Sequence, residues 1–225
     1  MAAQSQSPES ARLALTTFCQ EYWPPLYAFL RRRGHSPSDA QDLTQAFFAH
    51  LIAQNTLSRA DRAKGRLRTF LLGSLQHFLA NEHDRAQALK RGGGQRLVSL
   101  DDHVVAAEAA VLAAAGGDDT SHYDQSWAAT LVSRAWERLQ RAFAEEGKTR
   151  LLDALKLFVV GGSTHPPSQE GIAAQLDMPI STLRTHLQRL RQRYRQALRT
   201  EVARTVSSPA ETDDELQYLY RILMS

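Results

Sequence analysis

Seven arginines lie between Arg184 and Arg204, and Glu201 is the one acidic residue among them. Ser181, Thr182, Arg184, Thr185, Gln188, Arg189, Arg191 and Arg195 alternate here with Leu183, Leu187, Leu190, Tyr194 and Leu198. The apolar set recurs at intervals of 4, 3, 4 and 4, the period of one buried helix face. The polar set, with Arg193, must then share the outward face. Guanidinium forks pair bidentately with guanine edges, and their charge neutralises phosphates. A solvated helix face usually mixes signs to form i,i+4 pairs. This one does not, so its chemistry is that of polyanion binding.

Such a helix needs a second one to hold it at a groove. Residues 168–176 supply it: Ser168 is a candidate N-cap, Glu170 lies in the first turn, and Ile172, Ala173 and Leu176 form the buried side. Ala173 is small enough to let two helices approach closely. Asp177-Met178-Pro179-Ile180 joins the two, Pro179 stops the first helix, and Ser181 is the candidate N-cap of the second, 181–198. The pair has the form of a helix-turn-helix. Its second helix, about 27 Å long at 1.5 Å per residue, fits a major groove.

The remaining apolar spacing is also helical. A helix is expected over 10–33, through Leu15, Phe18, Tyr22, Leu26 and Phe29, with a kink or break at Pro24-Pro25. Others are expected over 38–54, after the start signal Ser36-Pro37-Ser38-Asp39, and over 67–81. A further helix runs from 126, with Trp127, Leu131, Ala135, Leu139 and Phe143 on one face, and another spans 148–160. A last short helix follows Ser207-Ser208-Pro209, with Thr212 and Glu215 as a capping box and Leu216, Leu219 and Leu223 as its stripe. No strand pattern appears. The expected fold is all-α: a helical domain over 10–100, a linker over 101–125, a second helical domain over 126–206 and a tail over 207–225. A chain of 225 residues accommodates two such domains.

Charge follows this division. The net charge of +3 separates into +1 over 1–60, +5 over 61–100, −6 over 101–147, +6 over 148–206 and −3 over 207–225. Two basic blocks bracketing an acidic stretch again point to a polyanion partner. Other classes are disfavoured. The single cysteine, Cys19, forms neither an internal disulfide nor a Cys-rich zinc site, and reads as a buried thiol. The eight histidines and 24 carboxylates show no catalytic or metal spacing. Gly92-Gly93-Gly94 lacks the lysine and hydroxyl of a phosphate loop. No enzyme activity, metal or cofactor is expected, and no run is apolar enough to span a membrane. The polar start MAAQSQSPES does not read as a signal peptide, so the expected location is a reducing cytoplasm.

Three stretches, YWPPLYAFLRRRGHSPSDAQDLTQAFFAHLI, GRLRTFLLGSLQHFLANEHDRAQALKRGG and EGIAAQLDMPISTLRTHLQRLRQRYRQAL, together resemble the extracytoplasmic-function sigma factors, the minimal members of the sigma-70 family. Their order is similar to region 2 followed by region 4, without a region 3 domain. The resemblance implies a promoter-specificity subunit of bacterial RNA polymerase. The helix like 39–51 would bind the β′ clamp helices through Asp42, Leu43, Gln45 and Phe48. The stretch like 67–96 would recognise the melted −10 element through Arg66, Arg68, His77, Asn81, Arg85, Lys90 and Arg91. Phe70 and Phe78 would be core there. Phe70-Leu71-Leu72 stands where the family often carries a tryptophan-bearing helix. The helix-turn-helix, near the β flap, would read the −35 element through Ser181, Thr182, Arg184, Thr185, Gln188, Arg189, Arg191 and Arg195. The acidic linker would follow the RNA exit path or serve as a tether. The implied partners are core polymerase, promoter DNA, and an anti-sigma factor or the chain's own tail as a regulator. The tail is expected to pack on the second domain, bringing Asp213, Asp214 and Glu215 to its arginines or extending its core. The alternative function is a helix-turn-helix regulator or adaptor acting without polymerase.

Overall fold

A computed structural model of the chain describes residues 8–54, 66–90, 118–160 and 168–224, with backbone alone at 8, 86–90, 118–119 and 160. The described residues are all-α, without a strand. In chain order the helices are α1 (Pro8–Arg32), α2 (Pro37–Ala53), α3 (Leu67–Lys90), α4 (Asp118–Glu145), α5 (Thr149–Leu155), α6 (Leu157–Val160), α7 (Gln169–Gln175), α8 (Ile180–Ala203) and α9 (Pro209–Met224). They form two compact units. The first takes the chain up to Thr130 together with everything from Thr205 onward; the second is Leu131–Arg204. The expected boundary at 101–125 lies mostly outside the described residues. The described division falls inside α4, and the tail belongs to the first unit.

In the first unit α1 continues through Pro24 and Pro25, so of the kink or break expected there the break does not occur. A proline inside a helix costs about 3 kcal/mol through its lost hydrogen bond and ring clash. That cost is offset by the apolar face on either side: Tyr22, Leu26, Phe29 and Leu30 are all buried. A fully buried side chain of this size contributes about 1.5–3 kcal/mol. Gly34, at φ +87°, ends α1, where the amides of Gly34 and His35 turn back to the carbonyls of Arg31 and Leu30. This left-handed position is one that glycine adopts without strain. Ser36 then caps α2, its Oγ accepting from the Asp39 amide at 3.1 Å, with Pro37 at the first helical position. Phe47, Leu51, Leu71, Leu75 and Phe78 are buried, and Phe47 of α2 meets Phe78 of α3 at 5.8 Å. Phe70 is only partly buried.

The first turns of α4 complete this core. Tyr123 and Trp127 are fully buried, and Trp127 stacks on Tyr22 with ring centroids 5.0 Å apart. The stripe from Trp127 to Phe143 is continuous, as its spacing predicts, but Trp127 serves the first unit and the residues from Leu131 onward the second.

The second unit is built on Leu139 and Phe143 of α4, Leu152 and Leu155 of α5, Ile172 and Ala173 of α7, and Leu183, Leu187 and Leu190 of α8. Ser168 caps α7 as expected, accepting from the Gly171 amide at 3.0 Å. The turn into α8 rests on Asp177 at φ +52°, with the amides of Asp177 and Met178 bonded to the carbonyls of Ala174 and Ala173. Asp tolerates this left-handed conformation better than most side chains. Pro179 is the N-cap of α8, which makes no side-chain cap, so Ser181 lies inside the first turn rather than before it. Pro179 suits that place because its φ of −60° is preset and it has no N–H to leave unpaired. Away from this core, the Glu201 carboxylate is buried against Arg134 at 2.8 Å, with Arg204 and Arg138 at 3.5 and 3.6 Å.

The tail helix also differs from expectation. It starts at Pro209, with Ser208 as its capping side chain: Ser208 Oγ accepts from the Glu211 amide, and Glu211 accepts from the Ser207 amide at 3.2 Å. Pro209 at the first helical position and Glu211 in the first turn favour this earlier start. Thr212 is therefore internal and buried, and Leu223 is exposed.

Candidate nucleic-acid interface

The helix-turn-helix presents its polar residues outward. Ser181, Thr182, Arg184, Thr185, Gln188, Arg189, Arg191 and Arg195 are all exposed. Their placement follows from the stripe behind them, since Leu183, Leu187 and Leu190 are buried at the seam with α7. A depression of about 450 Å³ opens on this face, lined by Gln169, Arg184, Leu187, Gln188, Arg191 and Arg195. Arg184 Nε donates to Gln169 Oε1 at 3.3 Å, and its terminal nitrogen lies 3.8 Å from Glu170. Arg191 donates to the Phe158 carbonyl at 3.4 Å. These contacts orient the guanidiniums and leave them accessible. Gln169 was not among the residues singled out by sequence; its signal is its position just after the α7 cap, where it meets α8.

Arg193, expected on the same face, points elsewhere. It pairs with Glu146 at 2.7 Å, and its guanidinium lies over the Phe143 ring, 4.3 Å from the centroid. Hydrogen bonds from Arg193 and Lys148 hold the Glu146 carboxyl down at about 2. Tyr194 is half-buried, edge-on to Trp136 at 6.2 Å, and burial pushes its phenol up.

Arg184 sits in the second turn of α8, where a recognition helix meets base edges, and Arg195 lies about 16 Å further along at 1.5 Å per residue. Arg184→Ala is expected to relax sequence preference at one base pair by about 1–3 kcal/mol. Arg195→Ala is expected to weaken binding evenly across sequences and to lower the salt slope by about one. Titrations of a panel of duplexes at several salt concentrations check this; equal losses on every duplex for both variants would refute the division.

The candidate residues of the first unit are less unified. On α2, Asp42 and Gln45 are exposed and Leu43 is half-buried. Phe48, a contact to the clamp helices in the resemblance, is buried at 4% exposure, stacked on Trp23 and edge-on to Phe18. It lies on the α1-facing side of α2, so it is a core residue. On α3, His77 and Asn81 are half-buried neighbours, with Asn81 Nδ2 3.1 Å from His77 Nδ1. Arg85 is exposed beside Glu82 at 2.8 Å. The side chain of Lys90, and Arg91, lie outside the described residues. Arg68 is nine residues before His77, about 180° around the helix at 100° per residue, so one nucleic-acid strand cannot engage both from one side of α3.

Arg66 and Arg68 are instead brought to α4 and α9. Arg68 is buried, its Nη1 2.6 Å from Asp124 and its Nε 3.1 Å from Glu215. Tyr218 covers the guanidinium with its ring, 4.5 Å away, and donates its hydroxyl to Asp124. Tyr123 donates to the Arg68 carbonyl at 3.0 Å. Burial by itself would lower the Arg68 pKa, but the Asp124 and Glu215 carboxylates overcome it and raise it. Burial, then the Asp124 contact, pushes the Tyr218 phenol up to about 12. Arg66, one-third exposed, reaches Glu215 at 2.9 Å. Packing of α9 on the second domain is thereby overturned: Glu215 is buried in the first unit. Asp213 and Asp214 are exposed.

Cys19 is half-buried rather than fully enclosed, on an apolar groove with Leu15, Trp23 and Ile52, and burial pushes its thiol up. Among the described residues no group of three His, Cys, Asp or Glu could hold a metal ion, and no helix is long and apolar enough to cross a membrane. No protein-family model, curated protein or solved structure matches the chain.

Proposed function

We propose that the protein is a promoter-specificity (sigma) subunit that directs bacterial RNA polymerase to a subset of promoters. The observation that carries this reading is the outward face of α8, where Arg184, Thr185, Gln188, Arg191 and Arg195 stand exposed on a helix seated by α7. Direct readout in a major groove needs such a face: bidentate donors on a rigid helix, at the spacing of successive base edges. The exposed Asp42 and Gln45 on α2 support a polymerase contact in the first unit. In this reading, His77, Asn81 and Arg85 form the surface of α3 that meets melted DNA. The setting is the cytoplasm, with core polymerase and promoter DNA as partners.

The burial of Phe48 favours a second reading, because it removes the aromatic anchor from the α2 surface. In that reading the protein is a helix-turn-helix regulator that works without polymerase. Co-purification with core polymerase separates the two, since the regulator has no need of it.

The contact itself is tested by Asp42→Ala with Gln45→Ala. Both residues are exposed, so stability should change by about 0.5 kcal/mol or less. Competition for core polymerase should weaken in the double variant while its helical content stays unchanged. Normal competition would place the interface elsewhere.

A further inference from the structure

We propose that Arg66 and Arg68 form a phosphate seat, and that the Glu215 carboxylate of α9 fills it as an internal substitute until α9 withdraws. That the phosphate is nucleic-acid backbone rests on the proposed function; the seat itself does not.

Three contacts make the case. Arg68 donates to Glu215 through Nε at 3.1 Å and Nη2 at 3.5 Å, one edge of its planar fork against both carboxylate oxygens. Arg66 Nη1 reaches the same carboxylate at Oε2, 2.9 Å away. Two guanidiniums converging on one small anion is the arrangement that grips a phosphate. The seat also has a support that does not depend on α9, because Asp124 and Tyr123 of α4 hold Arg68 by its side chain and its carbonyl. Arg66 is one-third exposed, so an anion can approach from its side.

Charge explains how the seat would switch. With Glu215 in place, two arginines face two carboxylates, and the cluster is neutral. Without it, Arg66 and Arg68 face Asp124 alone, leaving one positive charge to attract an anion. At the cluster α9 is held by Glu215 and by Tyr218, which donates to Asp124 and covers the Arg68 guanidinium. Among its described residues Thr212, Glu215 and Leu219 are buried, whereas Tyr220, Leu223 and Met224 are exposed. A helix of 16 residues is marginal by itself, so its docking depends on such contacts. A buried ion pair is a poor general fastener, since apolar residues of similar size often hold as well. Its distinctive property is that another anion can displace it.

The test uses the full chain, wild type and Glu215→Gln, with two probes: a single-stranded deoxyoligonucleotide and inorganic tripolyphosphate. Glu215→Gln should bind both about tenfold more tightly at low salt, through charge-assisted bonds freed at the seat. Adding Arg66→Gln should cancel the gain. In the wild type, either probe at saturation should accelerate amide exchange over 209–224. Tightening with tripolyphosphate but not with the oligonucleotide would keep the seat and count against the proposed function. No tightening with either probe would overturn the seat. Should Glu215→Gln fail to fold, wild-type exchange decides: unchanged or slower exchange over 209–224 with both probes overturns the proposal.

Discussion

Arg68→Ala is expected to destabilise the first unit by about 3–5 kcal/mol, the usual cost of removing one partner from a buried ion pair. The substitution leaves Asp124 without a cation, with only the Tyr218 hydroxyl, and leaves Glu215 to Arg66 alone; the two carboxylates are 2% and 1% exposed. Rehydrating Asp124 should require α4 or α9 to move. Some of the loss should therefore appear as early opening of α9, which carries Glu215 and the Tyr218 ring away from the site. Arg66→Ala removes a partner that is one-third exposed, and solvent screening should limit its effect to about 1 kcal/mol or less. Urea unfolding followed by helical signal gives both values. A loss below 1 kcal/mol for Arg68→Ala would mean that the cluster is wetter than its burial indicates.

The second large effect is expected from Trp127→Ala, at about 3–5 kcal/mol. Trp127 is fully buried and stacked on Tyr22, with Tyr123 at 6.1 Å. Its indole N–H has no hydrogen-bond partner among the described residues, so the loss is one of packing and cavity rather than of a polar contact. The effect should be local. Amide exchange in the full chain should lose protection over 67–78 and keep it over 183–190, because Trp127 belongs to the first unit although its helix continues into the second. Equal loss of protection in both stretches would show that α4 couples the two units more tightly than the division implies.

The elements were largely legible because they depend on neighbours in sequence. The 4, 3, 4, 4 spacing from Leu183 to Leu198 specifies a helix face whatever it packs on, and Ser36 and Ser168 cap the helices that follow them. Local propensity left a break at Pro24-Pro25 open, because it counts the lost hydrogen bonds but not the buried Tyr22, Leu26, Phe29 and Leu30 around them. Thr212 and Glu215 did mislead. Ser208-Pro209-Ala210-Glu211 offers the same start signal one turn earlier, and the earlier start frees Glu215 to turn inward.

The candidate site divides along the same line. Helical period alone places Thr182, Arg184, Thr185, Gln188, Arg189, Arg191 and Arg195 outside, since each lies off the leucine stripe. It could not separate Arg193, which leaves that face only because Phe143 and Glu146 come within reach. Nor could it distinguish Phe47 from Phe48, adjacent residues that both find aromatic partners once α1 and α3 close on α2.

By itself, then, the sequence determined an all-α chain, the position of its helix-turn-helix and the polarity of the helix face outside it, because each follows from interactions spanning four residues or fewer. Tertiary structure decided where the acidic tail goes. Its charge of −3 complements both basic blocks, +5 over 61–100 and +6 over 148–206, and Coulomb attraction has too long a reach to choose between them. The choice came from burial. Glu215 can leave water only where Arg66 and Arg68 supply donors at hydrogen-bond distance and Leu219 has an apolar surface to cover, and those conditions meet in the first unit.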